Sequence, residues 1–161
     1  MIARWLRYIG GLLGIGLAQA ILLERLILWG AVPDALLLLV AWVALRRGRL
    51  EGLLVGFMAG LLLDAIRDSW GLQMFTKTLT GYLIGLYPIE DRAGFVLRSQ
   101  EAALVAFLSA LLHNTFWVGL LALGQPVSLG RLVGSVWLGG ALYTALIAWI
   151  GFLFWRPHRV A

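Results

Sequence analysis

Apolar residues fall into six runs separated by short charged breaks: about 8–28, 33–45, 50–66, 71–88, 102–123 and 132–155. A helix rises about 1.5 Å per residue, so ~20 residues cross a hydrocarbon core of ~30 Å. Five runs are of that order. The second, 13 residues from Pro33 to Leu45, is short. Pro33 followed by Asp34 reads as a helix start, with proline at the first turn and an acid near the positive end of the dipole. The pattern therefore predicts a short helix beside a protein-lined cavity, in preference to a longer one that begins at Leu26 and bends at Pro33. The whole pattern predicts an all-α polytopic membrane protein, residues 1–161 forming one integral membrane domain of about six transmembrane helices.

Composition agrees. Of the 161 residues 61% are hydrophobic, 13% are charged, and mean hydropathy is +0.91. The net charge of +5 does not point to nucleic acid, because the basic residues sit in short breaks between apolar runs. No cysteine is present, which excludes disulfides, zinc–thiolate clusters and thiol catalysis. Arg4 and Arg7 precede the first run, but no small-x-small cleavage site follows before Glu24, so this run reads as a retained helix. With the N-terminus inside, nine arginines (4, 7, 46, 47, 49, 92, 98, 156, 159) fall on the inner side and three (25, 67, 131) on the outer. That asymmetry places both termini in the cytoplasm. Trp5, Trp29, Trp70, Trp137 and Trp155 lie near run ends, as an interfacial aromatic belt requires. The longest loop, Ile89 to Glu101, carries both signs of charge and reads as a short amphipathic stretch on the membrane surface.

Small residues recur at four-residue spacing, which places them on one helix face. The third run has Gly52, Gly56, Gly60 and then Asp64; the fifth has Ala102, Ala106, Ala110 and then Asn114. Gly10, Gly14 and Ala18, and Gly81 with Gly85, form shorter faces. Such faces let helix backbones approach closely, either within this chain or against a partner, and a second copy is one such partner. Asp64 near the end of the third helix and Lys77 two turns into the fourth fall at similar depth, which suggests an ion pair that fixes the hairpin, or else a polar site. His113 and Asn114 read as buried groups bonded to a neighbouring helix. His113 has no acidic neighbour in sequence and reads as no proton relay. Gln19 reads as a packing contact. The sequence holds no HExxH, no GxSxG elbow and one plausible intramembrane acid, Asp64, so it predicts neither an enzyme nor a cofactor or metal.

Residues 33–86 carry an ordered set of features: Pro33-Asp34, an apolar run, Arg-Arg-Gly48, the ladder Gly52, Gly56, Gly60-Leu61-x2-Asp64, a Gly71-Leu turn, and Lys77-x-Leu-x-Gly81-Tyr82. This set resembles the rod shape-determining MreD family. It covers 54 of the 161 residues, and the last two helices agree only in hydrophobicity. The resemblance implies a non-enzymatic scaffold of the elongation machinery for lateral peptidoglycan synthesis. Its expected partner is MreC, met helix on helix in the membrane, with MreB filaments, RodA and a class B penicillin-binding transpeptidase in the same assembly. It also implies a fold like that of the substrate-binding components of energy-coupling-factor transporters. The alternative function is therefore a vitamin-type substrate-binding component, which needs polar contacts near the outer face. Asp34, Asp64, Lys77 and Trp70 are the candidates. The candidate packing or partner positions are Pro33, Asp34, Gly52, Gly56, Gly60, Asp64, Lys77, Gly81, Tyr82 and Asn114.

Overall fold

The computed structural model describes residues 2–69, 71–87, 89, 98–124, 130 and 132–154. Trp70, Trp155, Arg92, Arg131, Arg156, Arg159 and most of the expected amphipathic loop lie outside them. The described residues form helices α1 (Ile2–Ile21), α2 (Ala35–Arg47), α3 (Arg49–Arg67), α4 (Leu72–Gly85), α5 (Ser99–Gly124) and α6 (Gly140–Phe154). A 3-10 turn, Leu23–Arg25, follows α1, and a π-helical stretch, Leu132–Gly139, leads directly into α6.

Each helix starts and stops for local reasons. Helix α1 begins six residues before the expected start at Tyr8, because its basic residues are accommodated within the helix. Arg4 Nη2 lies 3.1 Å from Glu51, and the Tyr8 hydroxyl donates to the same carboxylate at 2.8 Å. It stops at Ile21 rather than Leu28, since Glu24 is drawn to Gln19 and to Arg67 of α3. Residues 28–31 then close a tight turn with Trp29 and Gly30 both at positive φ. Helix α2 is the short helix expected, capped by Asp34, whose carboxylate accepts from Leu37 N at 2.9 Å. Gly48, at φ +87°, turns the chain directly from α2 into α3, a conformation that costs a residue with a Cβ much more.

Helix α2 sits at the centre. Leu36, Val40 and Val43 pack on Val55, Ala59 and Leu63 of α3 and on Tyr8 and Leu12 of α1. On its other side Leu37 meets Ala110 of α5 and Ala141 of α6. A helix enclosed by protein is not matched in length to lipid, which explains its 13 residues. Outside, α1, α5 and α6 expose Leu13, Leu17, Leu104, Leu108, Leu142 and Leu146, a broader apolar exterior than a water-soluble monomer carries. Three helical segments, Ile2–Arg25, Ser99–Leu123 and Leu132–Phe154, are long and apolar enough to cross a membrane. Helices α2 and α4 are shorter, and α3 carries Arg49, Glu51, Asp64 and Arg67.

Candidate functional site

The glycine ladder is consumed within the chain. Helices α3 and α4 pack along their length. A Cβ at Gly56 would stand 2.9 Å from the Lys77 carbonyl carbon, and one at Gly60 2.6 Å from Met74 N. On the facing helix, a Cβ at Gly81 would stand 2.8 Å from the Gly52 carbonyl carbon, and one at Gly85 2.7 Å from that of Gly48. These are backbone-to-backbone contacts with no space for a side chain, so the ladder is an internal seam and not a free partner face. Ala102, Ala106 and Ala110 are likewise buried within the bundle. By contrast, the Gly10–Gly14 stripe of α1 faces open space.

Asp64 and Lys77 are not partners, which corrects the expected hairpin pair. Asp64 lies at the end of α3, next to the start of α4, and accepts four hydrogen bonds there. Oδ1 takes Ser69 Oγ at 2.9 Å and Gln73 N at 3.0 Å; Oδ2 takes Gly71 N at 3.0 Å and Met74 N at 2.9 Å. It therefore caps α4 from the previous helix and uses its whole acceptor capacity. Asp64→Ala should cost about 2–4 kcal/mol through the orphaned amides, and Asp64→Asn less, because one acceptor oxygen remains. Thermal unfolding, with amide exchange in the first turn of α4, checks this.

The partner of Lys77 is Asp34. The fully buried ammonium forms an ion pair with Asp34 Oδ2. Among the described residues the bundle thus buries two carboxylates, not one. Helices α2 and α4 start at the same end of the bundle, so the α2 cap and a lysine two turns into α4 meet at one depth. His113 completes the group, its Nε2 3.4 Å from Lys77 Nζ and 3.1 Å from Thr76 Oγ1. An ammonium only donates, so Nε2 accepts and Nδ1 carries the proton, which it gives to Asn114 Oδ1 at 3.2 Å. Asn114 Nδ2 in turn donates to the carbonyls of Val136 at 3.0 Å and Trp137 at 3.1 Å. Those carbonyls belong to the π-helical stretch, whose widened register leaves backbone groups to be satisfied from outside. A continuous chain thus runs from Asp34 through Lys77, His113 and Asn114 to the last helix. His113 has no acidic neighbour in sequence, and in the fold it reaches the acid Asp34 of α2 only through Lys77.

Gln19 and Pro33 tie the same region together. Gln19 Nε2 donates to the Pro33 carbonyl at 2.9 Å, and its Oε1 accepts from Ala35 N at 3.0 Å. Asp34 N donates to Thr144 Oγ1 of α6 at 3.1 Å. Arg67 holds Glu24 through Nε at 3.0 Å and Nη2 at 2.7 Å. These groups border a cavity of about 190 Å³ between the 30–34 segment and helices α2 to α6. Its lining combines Glu24, Asp34, Arg67, Gln73, His113 and Thr144 with Leu37, Ala110, Trp117 and Val136. Gln73 is buried, and its Oε1 has no hydrogen-bond partner among the described residues. Sequence reasoning missed Gln73, Thr144, Glu24 and Arg67: the signal for Gln73, Glu24 and Arg67 is that each is polar near the edge of an apolar run, whereas Thr144 lies in the middle of one and carries none.

A second concavity, about 530 Å³ and almost wholly apolar, lies on the outer side of the α3–α4 hairpin. Leu53 and Phe57 of α3 face Met74, Phe75, Leu79 and the half-buried Tyr82 of α4 across it. No group of three or more His, Asp or Glu side chains gathers as a metal site among the described residues. The chain matches no protein-family model, no curated protein and no solved structure.

Proposed function

We propose that this protein is a non-catalytic membrane scaffold of the MreD type, which binds a transmembrane helix of MreC and supports lateral cell-wall synthesis. In this reading all six helices belong to the membrane domain, α2 as an irregular central span, and both termini are cytoplasmic. RodA and the transpeptidase join through the partner and not through this chain.

The observation that supports this reading is how the motif residues of 33–86 are used. Gly52, Gly56, Gly60 and Gly81 weld α3 to α4, Asp64 caps α4, and Asp34–Lys77 pins the hairpin to α2. The outcome is a rigid hairpin whose outward face is the apolar groove between Phe57 and Phe75. A groove between two helices, floored by Thr78 and walled by aromatic and aliphatic side chains, accepts the ridge of a third helix.

Co-expression and affinity purification with full-length MreC tests it. The wild-type chain should co-purify, and Thr78→Trp, which fills the groove from its floor, should reduce recovery by about tenfold or more. Photo-crosslinkers at Phe57 and Phe75 should capture MreC, and one at Gly10 should not. Absence of MreC with a well-folded chain overturns the scaffold reading. Capture at Gly10 alone overturns the groove assignment.

A further inference from the structure

The polar cavity at the Asp34 end of the bundle is not needed for helix docking on the far side of the α3–α4 hairpin. We propose that it is a binding site for an uncharged, hydroxyl-bearing group of about glycerol size, supplied by a free polyol or by the headgroup of a glycerol-terminated phospholipid.

Size comes first. A cavity of about 190 Å³ holds roughly six water-sized units, at about 30 Å³ each, which corresponds to a group of about six heavy atoms. Charge comes next. Asp34 is neutralised by Lys77, and Glu24 by Arg67. The lining offers neither an uncommitted cation to an anion nor an uncommitted carboxylate to a cation, so a neutral group is favoured over either ion.

Hydrogen bonding then narrows the class. Gln73 is 1% exposed, lines the cavity, and leaves Oε1 without a partner among the described residues. A buried amide oxygen in this condition is costly unless something in the cavity donates to it. A hydroxyl both donates and accepts, so it satisfies the Gln73 amide in either of its two orientations. Thr144 Oγ1, which accepts from Asp34 N, adds a hydroxyl on the opposite wall. The remaining walls, Leu37, Ala110 and Trp117, match the C–H faces of a polyol. The wall is also fixed in place, since Asn114 holds the π-helical carbonyls of Val136 and Trp137. π-Helical turns are frequent at functional sites.

The test uses the full chain in phosphatidylcholine nanodiscs. One arm measures saturation transfer to glycerol, with propan-1-ol as the control lacking vicinal hydroxyls. The second measures, by native mass spectrometry, retention of phosphatidylglycerol against phosphatidic acid, which has the phosphate but no terminal glycerol. Transfer to glycerol over propan-1-ol identifies a free polyol; preferential retention of phosphatidylglycerol identifies a headgroup. In either case Gln73→Leu should weaken binding about tenfold. The unfolding temperature should not fall, because that substitution replaces an orphaned acceptor by an apolar group of similar shape. Ala110→Phe, which fills the cavity, should abolish binding. If neither glycerol nor phosphatidylglycerol is preferred, or if Gln73→Leu leaves the preference unchanged, the proposal is overturned. MreC binding by Gln73→Leu should remain at the wild-type level, which separates failure of this site from failure of the scaffold reading.

Discussion

Lys77→Met should destabilise the bundle by about 3–5 kcal/mol, and Asp34→Asn by a similar amount, because each leaves one buried charge without its counter-ion. The double variant should recover most of that loss and unfold within about 1–2 kcal/mol of the wild type. Its logic is volume and capping. Methionine fills the lysine stem, and asparagine keeps an acceptor for Leu37 N, so the α2 cap survives. What disappears is the ion pair alone, and the cost of burying two charges disappears with it. Removing Lys77 also takes a donor from His113 Nε2, which the Thr76 hydroxyl at 3.1 Å replaces by turning its one proton from the Leu72 carbonyl to that nitrogen. Reversible unfolding in detergent, analysed as a double-mutant cycle, gives the coupling energy directly. Additive losses in Asp34→Asn/Lys77→Met would remove the pair from the argument. The companion cycle, Asp64→Asn with Lys77→Met, should be near additive, because Asp64 spends its oxygens on the α4 cap.

That contrast marks where the sequence stops being legible. Consecutive helices and four-residue spacing lead correctly to the hairpin, the Gly52–Gly60 seam and the Ala102–Ala110 face, because those contacts repeat a local period. Pro33-Asp34 likewise marks a helix start, although Asp34 is the N-cap of α2 and Pro33 precedes it rather than sitting in the first turn. The partner of Lys77 obeys no local rule. Asp34 and Lys77 are 43 residues apart, on helices that are not consecutive, and what brings them together is that α2 and α4 start at the same end. The nearer acid, Asp64, looks like the obvious counter-charge until the start of α4 at Gly71 and Leu72 claims it. His113 and Asn114 are read correctly as groups bonded across helices. Their importance, however, depends on a π-helical stretch over Leu132–Gly139 whose residues, mostly aliphatic with glycine, carry no mark of it. The short second helix points to a cavity beside it, but the lining of that cavity is legible least of all, since it comes from the 30–34 segment and helices α2 to α6 and is assembled only after all of them have packed.

Gly56→Leu should split the α3–α4 hairpin and leave the protein unable to assemble with any partner that reads the hairpin's outer face. The site has no slack: even a Cβ stands 2.9 Å from the Lys77 carbonyl carbon and 3.1 Å from Thr78 Cα, and both atoms are backbone. A side chain cannot be absorbed by rotating a neighbour, so the helices must separate or slide. Overpacking of a tight interior typically costs about 1–3 kcal/mol, and here it adds to the lost backbone contact along the seam. The damage spreads because Lys77 is carried on the displaced helix. Moving α4 away from α3 draws the ammonium from Asp34, and a shift of one ångström or two converts a paired buried charge into an unpaired one. Gly56→Ala should already lower the unfolding temperature, and Gly56→Leu should do so by several times as much. Gly14→Leu, on the open face of α1, provides the control: a Cβ there meets nothing within 4 Å, so its unfolding temperature should match the wild type. Equal tolerance at Gly56 and Gly14 would mean that the seam is not the close backbone contact described above, and the rigid hairpin on which the scaffold reading depends would fall with it.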